Sequence, residues 1–333
     1  MAYSKTVVVF GSTGAIGTSL IEIMSKNEPT WQIRAVSRSN DSSKSRLATL
    51  GLPNVQLVQG DVEDLDSAKE VSRGTDLVFS CVGFARYEKK YWCEHWPIVM
   101  KNLLAITSTE RPLIFCDNLY AYGNPKDEII HPETTSIIPE STDSKPGVRA
   151  WLRRRMQERM DESPGSVVAV GASDFFGPHV TDDRSVLGGM LIGNMVKGQG
   201  PMCLVSSRIR HDFCYGPDLG NALYVVAKDE NRTKSMGRFW ICPTTLQNKT
   251  YEEMRDMVND QLDTKVTKGF QVIPYWLVYG MGFVSSLMYE MTEMMHLWRE
   301  DYRVDASDFE RQFGVTATPA DKAIAATIAS LKA

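Results

Sequence analysis

Four β-prone apolar residues, Val7-Val8-Val9-Phe10, run straight into Gly11-Ser12-Thr13-Gly14-Ala15-Ile16-Gly17. Beyond that turn, Ile16, Leu20, Ile23 and Met24 fall on one side of a helical pattern. Strand, glycine-rich turn and helix together open a βαβ unit of the kind that holds a dinucleotide. The glycines have separate jobs. One takes a backbone geometry closed to other residues, one lets the backbone approach a pyrophosphate, and one lets the helix pack against the strand. The helix N-terminus then presents free N–H groups and a partial positive charge to the phosphates. The spacing is G-x-x-G-x-x-G rather than the usual G-x-G-x-x-G, so the strand before it and the helix after it carry the assignment.

The rest of the first half keeps the alternation. Ile33–Ser37, Val55–Gln59, Asp76–Val82, Pro112–Cys116 and Val167–Gly171 read as strands. Helices are predicted at Ser67–Ser72, at about Trp92–Ser108 and from about Pro146 to Glu162. This order predicts an α/β fold, a Rossmann-type doubly wound parallel sheet covered on both faces. The second half is less regular, with Gly-rich helical segments at 187–198 and short strands at 202–205 and 238–241. Residues 1–178 read as the dinucleotide-binding core. Residues 179–333 read mainly as a small C-terminal substrate-capping region, with some segments returning to the core.

Several function classes are disfavoured. A net charge of −4 leaves no basic footprint for nucleic acid. Cys81, Cys93, Cys116, Cys203, Cys214 and Cys242 are scattered without metal-ligand spacing, which suggests reduced thiols and no metal site. The first strand starts near residue 6, so no signal peptide is expected, and a cytoplasmic location follows. Asn231-Arg232-Thr233 and Asn248-Lys249-Thr250 match a glycosylation sequon, which means little in such a chain. The Tyr275–Trp298 segment is apolar, but Glu290, Glu293, Gly280 and Gly282 interrupt it too often for a membrane span.

The end of the second strand bears on the cofactor. An acidic side chain there accepts from a ribose 2′-OH, whereas an arginine suits a 2′-phosphate. Here Ser37 is followed by Arg38, with no acid before Asp41, so NADP(H) is expected over NAD(H). The alternative is a solvated surface arginine. Asp61-Val62 is placed to meet the adenine, or Asp61 caps the next helix.

With these residues in view, the chain resembles the extended short-chain dehydrogenase/reductases, the group that includes the NAD-dependent epimerase/dehydratases. The resemblance rests on Gly11, Gly14 and Gly17, on Asp61-Val62 and on Ser80-Cys81-Val82-Gly83. It extends through Tyr122-Gly123, Ser173-Asp174-Phe175-Phe176-Gly177-Pro178 and Arg210–Leu219, where Asp218 begins a helix. Phe313-Gly314 and Thr318-Pro319 continue it. It implies cofactor contacts at Cys81, Val82, Gly83, Arg149 and Ser173. It also implies a Ser or Thr, a Tyr and a Lys as catalytic groups, and at those positions this chain has Asn118, Lys145 and Arg149. The chain is therefore an atypical member by resemblance.

The substituted groups still have chemistry. Asn118 can donate to a carbonyl and polarise it. Arg149 can keep the positive field but cannot release a proton. Lys145 serves as acid or base only if burial and Arg149 depress its pKa; otherwise it is a solvated loop lysine. Tyr120 ranks first as a replacement proton donor, and Tyr122 reads as the structural Tyr of the turn. Asp117, Asp174 and His211 are further candidates, with helix capping the cheaper explanation for the last two.

Tyr87, Tyr91, Trp92 and Trp96 follow the fourth strand, where they suit an apolar or planar substrate, or simply helix packing. Met288, Met291 and Met295 suggest a Met-rich lid or core. Together they favour a hydrophobic metabolite over a nucleotide sugar. In the helix from about 146, Val148, Leu152, Met156 and Met160 form a packing stripe. Arg153, Arg154, Arg155 and Arg159 are expected on its solvated side. By analogy with related folds this helix would meet its twin in a homodimer. Three readings follow: an NADP(H)-dependent oxidoreductase or epimerase-like enzyme with a rebuilt proton donor; a non-redox cyclase or isomerase on the same fold; and a catalytically silent NADP(H)-binding sensor.

Overall fold

Seven parallel strands form the central sheet in the computed structural model, which describes residues 3–38, 46–123, 129–180, 185–282 and 285–332. Asp41 and the side chain of Met288 lie outside the described residues. The strands β1 (Lys5–Phe10), β2 (Trp31–Ser37), β3 (Val55–Gln59), β4 (Leu77–Ser80), β5 (Leu113–Asn118) and β6 (Val167–Ala172) are those the sequence marks. Outside this sheet lie β7 (Asp174–Phe176), β8 (Met202–Leu204) and β9 (Phe213–Tyr215). β10 (Phe239–Ile241) and β11 (Gln271–Ile273) follow. The sheet order is β10-β6-β5-β4-β1-β2-β3, so the chain reverses direction between β1 and β4 and opens a crevice at the strands' carboxyl ends.

The helices come in chain order. α1 is Ala15–Asn27, α2 Arg46–Thr49, α3 Leu65–Val71, α4 Lys89–Ala105 and α5 Lys145–Glu162. Beyond the sixth strand come α6 (Asn194–Val196), α7 (Gly216–Ala227), α8 (Arg232–Ser235) and α9 (Tyr251–Asn259). The last are α10 (Tyr275–Gly282), α11 (Ser286–Thr292), α12 (Ser307–Phe313) and α13 (Ala320–Lys332). The Gly-rich stretch expected at 187–198 is a wide π-helical run, Val186–Gly193, followed by α6.

Strand alternation builds two layers of core. Val7 and Val9 face α1 and α7, while Val8 and Phe10 face α4 and α5. On α1 the buried apolar side is Ile16, Leu20, Ile21 and Met24, with Ile23 at its margin. A third apolar cluster gathers the second half of the chain, from Phe176 and Leu187 to Trp298 and Ile324. Asp218, in the first turn of α7, accepts from Thr318 N–H at 2.8 Å, Thr318 Oγ1 at 2.6 Å and Thr245 Oγ1 at 3.1 Å. Two separated motifs are thus pinned together ahead of α13. Burial pushes the Asp218 carboxyl up, against the pull of these donors.

Candidate active site

The glycine loop has the shape a pyrophosphate needs. Gly11 sits at φ +72°, and a Cβ there would lie 2.4 Å from the Cys81 carbonyl oxygen. A Cβ on Gly17 would lie 2.2 Å from the Gly11 carbonyl oxygen. Both positions are therefore restricted to glycine, and Gly11 locks the loop against the end of β4. Gly14, the residue before α1, has room for a Cβ at 3.4 Å and provides no side-chain cap. The first N–H groups of α1 are thus left for an anion. Ser12 is buried and donates to the Val36 carbonyl at 2.7 Å, which ties the loop to β2. Thr13 is exposed on the loop. These residues fit a dinucleotide's pyrophosphate.

Around the loop, Arg38 is exposed, with Nη1 4.0 Å from Glu63 Oε1. Ser37 precedes it as the last residue of β2. The Asp61 carboxylate accepts the Glu63 N–H at 3.0 Å, and Val62 is buried. The helix-capping role open to Asp61 falls to Asp64 instead, which accepts from Asp66 and Ser67 N–H. Asp64 wins because it directly precedes the first turn of α3. Cys81, Val82 and Gly83 leave β4 beside Gly11, and a Cβ on Gly83 would meet open space. Ser173 is buried after β6, and its hydroxyl has no hydrogen-bond partner among the described residues.

Lys145 is not a solvated loop lysine. Ser144 caps α5 by accepting the Gly147 N–H at 3.0 Å, Pro146 stands in the first turn, and Lys145 begins the helix fully buried. Its Nζ donates to Glu290 Oε2 at 2.8 Å, to the Glu290 carbonyl at 2.7 Å and to the Tyr87 carbonyl at 3.2 Å. Glu293 Oε2 lies 3.6 Å away, and the Tyr87 ring face 4.1 Å away. The Lys145 and Lys89 N–H groups also donate to Glu293 and Glu290, at 3.1 and 2.7 Å. The two acids that interrupt the Met-rich segment are therefore its latch onto α4 and α5. Met294, Met295, Leu297 and Trp298 behind them are core, and Met291 is half-buried.

Arg149 is equally engaged. It is buried, ion-paired with Asp117, and stacked over Trp96 at 4.5 Å. Its buried Nε has no hydrogen-bond partner among the described residues. Asp117 is thereby held as a counter-ion, not as a free acid or base.

The groups with free chemistry lie at the end of β5. Asn118 Oδ1 accepts the Tyr120 N–H at 3.2 Å, which leaves its amide N–H₂ as a donor. Tyr87 Oη and Tyr120 Oη are 3.3 Å apart, and Tyr120 stacks on Trp92 at 6.2 Å. Burial pushes the Tyr120 phenol well above the ordinary tyrosine range, and the Asp174 carboxylate adds to it. Tyr87 shifts the same way, first through burial and then through Tyr120. Both phenols stay protonated through the physiological range. Tyr122 donates to the Pro132 carbonyl at 3.2 Å and is pushed up to about 12 by burial, a structural tyrosine.

Asp174 and His211 do not cap helices. His211 Nε2 lies 2.9 Å from Asp174 Oδ2, with the ring stacked on Trp298 at 4.4 Å and Tyr302 at 4.9 Å. Trp96 is a core residue packed on Phe84 and Phe115, whereas the buried Trp92 meets Tyr87 edge-on at 5.5 Å and stacks on Tyr120, so it backs the phenol pair. Sequence reasoning missed the Lys145–Glu290–Glu293 cluster. The signal available was the Glu-x-x-Glu pair inside an otherwise apolar run.

His296, on the same latched segment, supplies a pH test. Burial lowers its pKa, against the carbonyls of Glu293 and Gly123. A histidine whose folded value is depressed adds stability that is complete above its ordinary value and is lost as pH falls through the folded value. Acidification from pH 7 to 5 will therefore lower the unfolding free energy, by less than about 1.4 kcal/mol per pH unit, and with it the melting temperature. His296→Gln will flatten that slope; an unchanged slope would place the effect elsewhere.

Comparison with known proteins agrees with this geometry. Residues 3–91 match the model of the NmrA-like family. Over 105 residues the chain is 26% identical to a UDP-glucose 4-epimerase of Rickettsia bellii (strain RML369-C), a match spanning 31% of this chain and 30% of that protein. Among solved structures, dTDP-glucose 4,6-dehydratase from Bacillus anthracis str. Ames in complex with NAD superposes with a TM-score of 0.75 at 15% identity. That match covers 99% of this chain and 97% of the other. UDP-glucose 4-epimerase with UDP-glucose from Thermotoga maritima gives 0.75 at 13% identity over 98% of both chains. The resemblance read from the motifs thus holds at the level of fold: this chain has the Rossmann-like fold of the extended short-chain dehydrogenase/reductases, with an N-terminal segment that matches the NmrA-like family.

Proposed function

We propose that the chain is an oxidoreductase or epimerase-like enzyme of short-chain dehydrogenase type, dependent on a nicotinamide dinucleotide, in which Tyr120 is the proton donor. The observation that carries this reading is the Tyr87–Tyr120 phenol pair beside the free Asn118 amide, at the sheet end that also carries the glycine loop. Solved neighbours hold NAD or a nucleotide sugar, as their names state. In this chain Ser37 and the exposed Arg38 favour NADP(H), because no carboxylate ends β2 to accept from a ribose 2′-OH. Gly11 through Gly17 hold the pyrophosphate, Asp61 and Val62 flank the adenine, and Cys81 to Gly83 with Ser173 line the path to the nicotinamide.

A bound nicotinamide supplies or accepts the hydride. The protein's part is placement. Asn118 donates to the substrate oxygen, and Tyr120 gives or takes its proton, with Tyr87 hydrogen-bonded behind it. Lys145 and Arg149 hold the site's walls through their ion pairs, and Arg149 adds positive field. The substrate proposed is a small apolar or aromatic metabolite. A second reading, a silent dinucleotide-binding sensor, is favoured by one fact: both cations at the catalytic positions are already paired.

The test is a screen of carbonyl and alcohol substrates by nicotinamide absorbance, repeated with Tyr120→Phe. Tyr120→Phe will lower kcat by about 10²–10⁴-fold while leaving dinucleotide affinity unchanged. An unchanged kcat would remove Tyr120 from the chemistry, and no turnover at all would leave the sensor reading.

A further inference from the structure

Arg153 departs from the solvated side expected of it. It stands on α5 with only 8% of its surface exposed. Its guanidinium lies 3.8 Å from the Phe239 ring and 4.9 Å from the Tyr122 ring. One Nη donates to the Pro132 carbonyl at 2.7 Å. Among the described residues it has no carboxylate partner, and a charge this buried without a counter-ion is costly. Arg159 also turns inward, donating to the Leu104 carbonyl at 2.9 Å, and Arg155 pairs with Glu140 and Glu158. Arg154 alone of the four is left exposed and without an ion pair among the described residues.

Arg153 lines a surface groove of about 390 Å³ between α5, the edge strand β10 and the segment 132–137. Arg154 and Arg238 line it too, with Gln157, Phe239 and Ile137. Arg238 is stacked over Trp240 at 4.5 Å and paired with Glu133, the acid in the lining. The groove therefore presents three guanidinium groups against one carboxylate. Stacking on aromatic faces fixes the planes of Arg153 and Arg238 in advance, so less freedom is lost when an oxyanion binds. Its volume falls within the range of small-molecule sites. It opens at the β10 edge, away from the glycine loop between β1 and α1.

We propose that this groove binds a small organic anion, a carboxylate or phosphate monoester on a flat apolar body. The oxyanion takes the arginine donors as charge-assisted hydrogen bonds, and the body lies against the half-buried Ile137. The site is separate from the dinucleotide crevice and does not depend on the proposed activity.

Calorimetric titration tests it on the full chain with saturating NADPH, at fixed ionic strength. The probes are benzoate, phenyl phosphate and inorganic phosphate. Benzoate or phenyl phosphate will bind saturably and at least about tenfold more tightly than inorganic phosphate, and the stronger of the two identifies the head group. Arg154→Gln and Arg238→Gln will each weaken that binding by about tenfold, the size of one charge-assisted hydrogen bond. Arg154 is a surface residue, so its variant folds even where Arg153→Met does not. Absence of saturable binding by both aromatic probes would overturn the proposal. So would binding that both variants leave unchanged, which would place the anion elsewhere, the glycine loop included.

Discussion

Lys145→Met will destabilise the protein by about 3–5 kcal/mol, the usual consequence of removing one partner from a buried ion pair. Glu290 and Glu293 keep 12% and 24% of their side-chain surface exposed, so the lower end of that range is expected. The loss arises because the substitution strands the Glu290 carboxylate and removes three hydrogen bonds from Nζ. Chemical denaturation measures it. A lysine standing free in an open cleft would leave stability within about 0.5 kcal/mol. Lys145→Met/Glu290→Met will recover part of the loss, because the stranded carboxylate is gone. Recovery stays partial because Glu290 also accepts the Lys89 N–H. Limited proteolysis of the single variant will cut first within Tyr275–Trp298, the segment the pair fastens.

Gly11→Ala will abolish dinucleotide binding. Two independent facts require it: φ of +72°, which an L-side chain rarely adopts, and a Cβ 2.4 Å from backbone oxygen of Cys81. The loop must move away from β4, and the N–H groups of α1 lose their placement. A fall in affinity on the order of 100-fold or more is expected. Gly14→Ala is the control. Its Cβ would meet only the Gly11 carbonyl oxygen at 3.4 Å, so the chain folds normally. Equal binding by wild type and Gly11→Ala would remove the loop from the site.

What was legible in the sequence is what local patterns determine. The first six strands, the glycine turn and the Val148, Leu152, Met156 and Met160 stripe follow from periodicity and from glycine's backbone freedom. The Tyr122 turn and the assignment of Asn118 come from the family resemblance, and the structure places both at the end of β5. What was hidden depends on contacts between distant segments. Lys145 meets Glu290 across 145 residues, and Arg149 meets Asp117 across 32. No periodicity reports either pair, so Lys145 stayed open between a buried acid or base and a loop lysine, and its counter-ions read as breaks in an apolar run. Arg153 was hidden differently. It neighbours the apolar stripe of α5, and Phe239, Tyr122 and the Pro132 carbonyl, all distant in sequence, turn that margin inward. β7 and β9 are short, three residues each, and pair with each other, with one further bridge from Phe213 to Leu246, so neither has length enough to declare itself.

These pairs also bear on function. Under the proposed function, Lys145 and Arg149 are committed to Glu290 and Asp117, so the role of proton donor is assigned to the phenols, whose pKa burial raises. A phenol of raised pKa is a weak acid toward water but still donates readily to a developing alkoxide.

The measurement that reaches the central claim most directly is calorimetric titration of the purified chain with NADPH and with NADH, run in parallel on Arg38→Ala. The account predicts saturable binding of NADPH, weaker binding of NADH, and a variant in which the two become equal because the guanidinium proposed to pair with the 2′-phosphate is gone. No binding of either dinucleotide to the wild-type chain would contradict it, and the glycine loop would then be a structural turn without a ligand.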